Sequence, residues 1–198
     1  MTKYKIIDNF LNDSDFTELT GNILPIPTVG IVGNSAPSFG WDYNGTSLPT
    51  EYDEQDRFKK VTDIERLNPI NDWHLSRMIY LGFYRNQALQ YFGPLLDKIN
   101  PIALFKIQAN LTVQQEKRRR SLFHVDYDQK SKQSMITSIF YMNTTNGPTI
   151  LEDGIEIECR ANRLVSFPQT TYHAGVVCTD QPYRMVINLN YFKDLELP

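Results

Sequence analysis

The sequence has only two cysteines, Cys159 and Cys178, which excludes a disulfide scaffold and every four-cysteine zinc module. So few thiols favour a reducing, intracellular setting, and a cytoplasmic location is expected. Long apolar runs are also missing. The longest are about half a dozen residues, against the roughly 18 to 20 needed to span a bilayer, and the opening Met1–Asp8 lacks the continuous apolar core of an export signal. Neither a membrane span nor a leader is expected. No sign of charge dominates: 20 basic side chains stand against 23 acidic ones, with a pI near 5.6. That balance excludes a surface built throughout for polyphosphate, and nucleic acid is not an expected partner. Histidine occurs three times, at His74, His124 and His173, so any histidine-based metal or acid-base chemistry must draw on these.

What is present is the composition of one globular domain, with 41% hydrophobic and 22% charged residues. Tyr4 to Ile7 reads as a short strand. Phe16, Leu19 and Ile23 then recur at helical spacing, with Asn12 or Asp13 as cap and Pro25 and Pro27 as the stop. Residues 30–60 are dense in Gly, Pro, Ser, Asn and Asp and read as a long loop or irregular hairpin, whose Trp41, Tyr43 and Tyr52 form either a lid or ordinary packing. From Asn71 to Phe92 the spacing of Trp73, Met78, Leu81, Tyr84, Ala88 and Tyr91 predicts an amphipathic helix, with His74 in it as a packing or surface residue. Gly93-Pro94 interrupts it, and Leu95, Leu96 and Ile99 add a further turn or two.

After residue 103 the periodicity changes from 3.6 to 2. Phe105, Ile107, Ala109, Leu111 and Val113 alternate with Lys106, Gln108, Asn110, Thr112 and Gln114, giving one apolar and one hydrogen-bonding face. Further short strands are expected at about 121–127, 135–143, 155–158, 163–167, 173–178 and 183–192. Helices first and strands later make the class α+β, a sandwich or jelly roll with the helices bracing one outer sheet face. The chain is expected to be a single domain: residues 1–103 support a β core over 104–193.

In the run Phe123-His124-Val125-Asp126-Tyr127 the histidine and the carboxylate stand two apart, so in a strand both leave the same face. With His173 they would make two imidazoles and one carboxylate, the ligand set that leaves open positions on a non-haem Fe(II). Alternatively, the pair simply hydrogen-bond to each other. In the tail, Met185, Ile187, Leu189 and Tyr191 form one face, and Arg184, Val186, Asn188 and Asn190 the other. An inward arginine suits a carboxylate-bearing small molecule, whereas an edge arginine would meet solvent.

These elements together resemble the 2-oxoglutarate and Fe(II)-dependent oxygenases, most closely the prolyl-hydroxylase-like branch. The matching residues are His124-Val125-Asp126, Ile139–Asn143, the turn Gly147-Pro148-Thr149, Asn162–Phe167, His173 and Arg184, with Ile6–Leu11 similar to how many members begin. The resemblance covers residues 104–193 well and the N-terminal half loosely. It implies a double-stranded β-helix of cupin-like type, with His124, Asp126 and His173 holding iron. Arg184 would bind the far carboxylate of 2-oxoglutarate, and Tyr141 would donate to the same group. Members often carry a tyrosine on the first barrel strand; here Gln108 or Asn110 occupies that region. The implied activity hydroxylates a C–H bond with O2, releasing succinate and CO2. Asp126 argues for hydroxylation, because halogenating relatives lack the carboxylate. Asn190 stands where relatives often have a bulkier residue, which implies a more polar or roomier pocket. A peptide or protein residue such as proline is the favoured substrate, with a small molecule open. The rival reading is a non-catalytic cupin-like jelly-roll module that binds a carboxylate ligand or a partner protein.

Lys117-Arg118-Arg119-Arg120 reads as a solvated hairpin turn, or as a steering patch for an acidic substrate. Glu51, Asp53, Glu54 and Asp56 form an acidic cluster that could pair with it. Cys159 and Cys178 read as buried free thiols.

Overall fold

Alternation in the second half of the chain dictates the architecture. A computed structural model describes residues 3–24, 41–44, 61–67, 74–126 and 135–193. In chain order the elements are β1 (Lys5–Ile7), α1 (Asp13–Ile23), β2 (Asp42–Asn44), β3 (His74–Leu81), β4 (Tyr84–Arg85), a 3-10 turn (Gln87–Phe92), α2 (Gly93–Ile99) and β5 (Ala103–Val113). There follow β6 (Met135–Tyr141), β7 (Thr145–Leu151), β8 (Glu156–Cys159), β9 (Arg163–Pro168), β10 (His173–Gly175) and β11 (Tyr183–Phe192). The larger sheet runs β1, β9, β6, β11, β5, β3, β2, with β4 paired to β3; the smaller runs β10, β7, β8. Every pairing is antiparallel. Two facing antiparallel sheets with helices on one outer face are the α+β jelly roll that the sequence predicts.

The two faces of β5 and β11 divide as their alternation requires. Ile107, Ala109, Met185, Ile187, Leu189 and Tyr191 pack outward against Leu19 and Ile23 of α1, Phe92 at the end of the 3-10 turn, and Leu95 and Ile99 of α2. The opposite face turns towards the smaller sheet, where Ile139, Tyr141, Leu151, Ile157, Val165, Phe167 and Val186 close one part of the interior. Asn12 caps α1 by accepting from the Asp15 N–H (2.9 Å), and Asp13 and Asp15 in the first turn complement the helix dipole. Asn100 ends α2 in the left-handed region, with φ of 51°.

Four expectations need correction. Residues 74–92 are not one helix. Instead β3 and β4 form a hairpin through Gly82, whose φ is 55°, and a 3-10 turn follows. A register shift between Met78 and Tyr80 breaks the period-2 pattern that would have marked β3 as a strand. Residues 120–126 make only isolated bridges, at Arg120 and His124, rather than a continuous strand. Gly147-Pro148-Thr149 is not a turn but the middle of β7. A Cβ on Gly147 would lie 2.4 Å from the Val176 carbonyl oxygen, so the glycine serves a close backbone approach. Finally, the basic run is solvated only in part. Lys117 and Arg118 are exposed, whereas Arg120 is buried over the Phe123 ring, 5.0 Å from its centroid. Both cysteines are free and buried, as expected. Of the 30–60 loop, only 41–44 lies within the described residues, where Trp41 packs against the main core. Tyr52 and the acidic cluster lie outside them.

Candidate metal centre and cosubstrate pocket

His124, Asp126 and His173 converge from two segments that pair with each other. The His124 and His173 backbones form an antiparallel bridge, each N–H donating to the other's carbonyl at 3.0 Å. Directly opposed residues in such a bridge place their side chains together, and the ring centroids stand 4.6 Å apart. Asp126 Oδ1 lies 3.9 Å from His124 Nε2 and 3.8 Å from His173 Nε2. One ligand atom from each residue falls within 4.8 Å of the other two.

The hydrogen bonds around the trio decide what it can hold. His124 Nδ1 meets the Leu122 carbonyl at 2.9 Å, and His173 Nδ1 meets the Thr171 carbonyl at 3.2 Å. A carbonyl only accepts, so each Nδ1 carries a proton, and in a neutral ring Nε2 is then the atom with the free lone pair. Burial, aided by the charge of His124, pushes the His173 imidazole down to about 4, so the ring is neutral near pH 7. Its Nε2 is buried without a hydrogen-bond partner. Burial also raises the Asp126 carboxyl, but Lys106, His173, His124 and the Asn190 amide outweigh it and hold the group ionised, well below the usual carboxylate range. At His173 a neutral nitrogen lone pair therefore faces a carboxylate oxygen, acceptor against acceptor with no donor between them. A cation between them resolves that conflict, and two imidazoles with one carboxylate suit Fe(II). The simple hydrogen-bonded His–Asp pair is not what the geometry shows.

A cavity of about 270 Å³ adjoins the trio. One wall is the polar face of β5, with Lys106, Gln108, Asn110 and Thr112, so both candidates on the first barrel strand line it. Arg184 is buried and also lines it. Its Nε donates to the Gly147 carbonyl (2.7 Å) and its Nη2 to Thr149 Oγ1 (2.9 Å). None of the described carboxylates pairs with it. Tyr141 is fully buried and donates its hydroxyl to the same Thr149 Oγ1 at 2.8 Å. Burial raises this phenol to about 12, so it remains a donor. Thr112 Oγ1 and Asn188 Oδ1 on this wall are buried without partners.

His74 requires a second correction. It is the first residue of β3 and lines the cavity, where burial and then the charge of His124 lower its pKa. Sequence reasoning missed it, along with the cavity positions of Lys106, Thr149 and Asn188. For Lys106 and Asn188 the signal was present, since both fall on the polar faces of alternating strands. Asn190 was read only as a change of pocket polarity, yet its Nδ2 donates to Asp126 Oδ2 (2.9 Å) and Thr137 Oγ1 (3.0 Å).

Neither a protein-family model nor a curated protein matches the sequence. Solved structures do match the fold. A prolyl hydroxylase from Trichoplax adhaerens, in complex with a hypoxia inducible factor peptide fragment, aligns with a TM-score of 0.54 and 17% identity, over 97% of this chain and 84% of that one. A Pseudomonas putida prolyl-4-hydroxylase gives 0.54 and 12%, over 98% and 94%. The epimerase SnoN, in complex with Fe3+, alpha ketoglutarate and nogalamycin RO, gives 0.60 and 10%, over 97% and 79%. At these identities the likeness concerns architecture. The chain has the fold of the 2-oxoglutarate and Fe(II) oxygenases.

Proposed function

We propose that the protein is an Fe(II)- and 2-oxoglutarate-dependent dioxygenase that hydroxylates a C–H bond and releases succinate and CO2. The observation that carries this reading is the His124, Asp126 and His173 trio, opening onto the same cavity as a buried arginine with no carboxylate partner among the described residues. Bound Fe(II) with 2-oxoglutarate would supply the oxygen activation and the C–H chemistry. The chain's own task is to bind and orient. His124, Asp126 and His173 hold the metal on one face, each fixed from behind by a carbonyl or an amide.

Arg184 receives the far carboxylate of 2-oxoglutarate, with its Nε and Nη2 already anchored by Gly147 and Thr149. Tyr141 supports that end by donating to Thr149, while Gln108 and Asn110 supply polar contacts from the β5 wall. The favoured substrate is a peptide or protein residue such as proline. The exposed side chains of Leu81, Phe83 and Tyr84 at the β3–β4 tip support it, because Leu81 pairs with cavity-lining Lys106. Two buried free thiols suit a cytoplasmic protein.

Calorimetry tests the assignment. In protein saturated with Zn(II), Arg184→Gln should weaken 2-oxoglutarate binding by about tenfold or more, the loss expected for a charge-assisted contact. Unchanged affinity would remove the arginine from this role.

A further inference from the structure

Lys106 is left over when the charges around the proposed centre are matched. The point rests on the dioxygenase reading. Its side chain lines the same cavity as Asp126 and Arg184 and is half-buried. It makes no ion pair or hydrogen bond with any described residue, although its charge reaches Asp126 and helps to hold that carboxylate ionised. Strand register sets it apart from Arg184. Arg184 stands opposite Thr112, and Asn190 stands opposite Lys106, so six residues of β11, roughly 20 Å of strand, separate the two positions.

Iron(II), the Asp126 carboxylate, the 2-oxoglutarate dianion and the Arg184 guanidinium cancel one another, since imidazoles ligate as neutral rings. A cosubstrate anchored at Arg184 has its far carboxylate occupied there and its near one on the metal. With Asp126 matched by the metal, Lys106 then leaves one positive charge in excess on the cavity wall, and a partly desolvated ammonium is unfavourable without an anion of its own. Next to it in the sheet is Leu81, with Phe83 fully exposed at the hairpin tip beyond. A larger substrate could rest its apolar part there.

We propose that Lys106 receives a carboxylate carried by the primary substrate, and so selects acids over the corresponding amides. The carboxylate would come from a free acid, or from an acidic side chain of a peptide; the contact is the same in both.

The test uses full-length protein saturated with Zn(II) and 2-oxoglutarate, its lysines reductively 13C-methylated, with the Lys106 NMR signal assigned by its loss in Lys106→Met. Titration with acetate should move that signal saturably, and acetamide should not. Two further arms separate the sources. N-acetyl-L-proline is compared with its amide, and a capped peptide carrying Pro-Asp with its Pro-Asn counterpart, each as a competitor of acetate. In one arm the acid should compete about tenfold better than its neutral match, and the preference should fall to within about twofold in Lys106→Met, read by calorimetry. If acetate moves Lys106 no further than the exposed lysines, the proposal is overturned. It is equally overturned if Lys106→Met weakens 2-oxoglutarate binding tenfold, since the lysine would then belong to the cosubstrate. A protein that binds neither Zn(II) nor 2-oxoglutarate fails at the dioxygenase reading and takes this one with it. One that binds both while Lys106 stays unmoved overturns this inference alone.

Discussion

Asn190 holds the Asp126 carboxylate by one oxygen and leaves the other for the histidines. Its Nδ2 donates to Asp126 Oδ2 at 2.9 Å, and Oδ1 of the same carboxylate faces Nε2 of both imidazoles at 3.8 and 3.9 Å. A free carboxylate would rotate between its two oxygens. A pinned one presents a single oxygen in a fixed direction, which is what a metal ligand requires.

Replacing Asn190 by Leu should therefore weaken Fe(II) binding by about 10- to 100-fold, the usual cost of losing such an outer contact. An anaerobic metal titration followed by calorimetry measures it, with circular dichroism confirming the fold. Full affinity in a folded variant would leave Asn190 no positioning role.

Gly147 carries the second prediction. A methyl group there would meet the Val176 carbonyl oxygen at 2.4 Å and Arg184 Cδ at 3.1 Å. Gly147→Ala should cost about 1–3 kcal/mol of stability by overpacking and should also lower 2-oxoglutarate affinity through the displaced guanidinium. Urea denaturation and ligand titration read the two effects separately. An alanine tolerated on both counts would mean that the close approach relaxes freely.

Helix α1 and the segment before it are fastened to the larger sheet through Phe140, which is fully buried and meets the Phe10 and Phe16 rings edge-on at 6.3 and 6.0 Å. Phe140→Ala should destabilise by about 3–5 kcal/mol. Its ring faces away from the cavity into the outer core, so metal affinity of the folded fraction should hold. A loss below 1 kcal/mol in chemical denaturation would contradict this.

At the edge strand β1, Asp8 pairs with Arg163, whose hydrogen bond holds the Asp8 carboxyl below its ordinary value. A depressed carboxylate stabilises the fold at pH values above its unfolded pKa and loses that contribution as pH falls through the folded one. The melting-temperature difference between wild type and Asp8→Asn should therefore be present at pH 6 and shrink steadily below about pH 4. The effect should be small, because Asp8 is half exposed and water screens the pair. A difference that grows on acidification would refute the pairing.

Much of this architecture was legible in the sequence because sheets with one buried face must alternate. β5 and β11 announced both their core residues and the cavity wall that includes Arg184 and Asn188. The three proposed ligands were legible for a different reason: two of them share one short run, histidine is scarce, and the flanking motifs resemble one family of oxygenases. β3 was not legible, since its register shift disrupts the alternation and its apolar residues happen to fit a helical spacing. His74 was lost with it. β7 was hidden because Gly147 and Pro148 signal a turn in isolation, and only the approach of the Val176 backbone explains a glycine in a strand. The role of Asn190 depends on where Asp126 comes to rest, which no local pattern encodes.

The central claim is that His124, Asp126 and His173 hold an iron that consumes 2-oxoglutarate. It is tested most directly by reconstituting the protein with Fe(II) without oxygen, then admitting air and measuring succinate from 2-oxoglutarate, alongside His124→Ala. Wild type should bind one Fe(II) per chain and release succinate. The variant should keep its fold and lose both. Absence of Fe(II) binding in wild type, or undiminished succinate release in His124→Ala, would contradict the assignment.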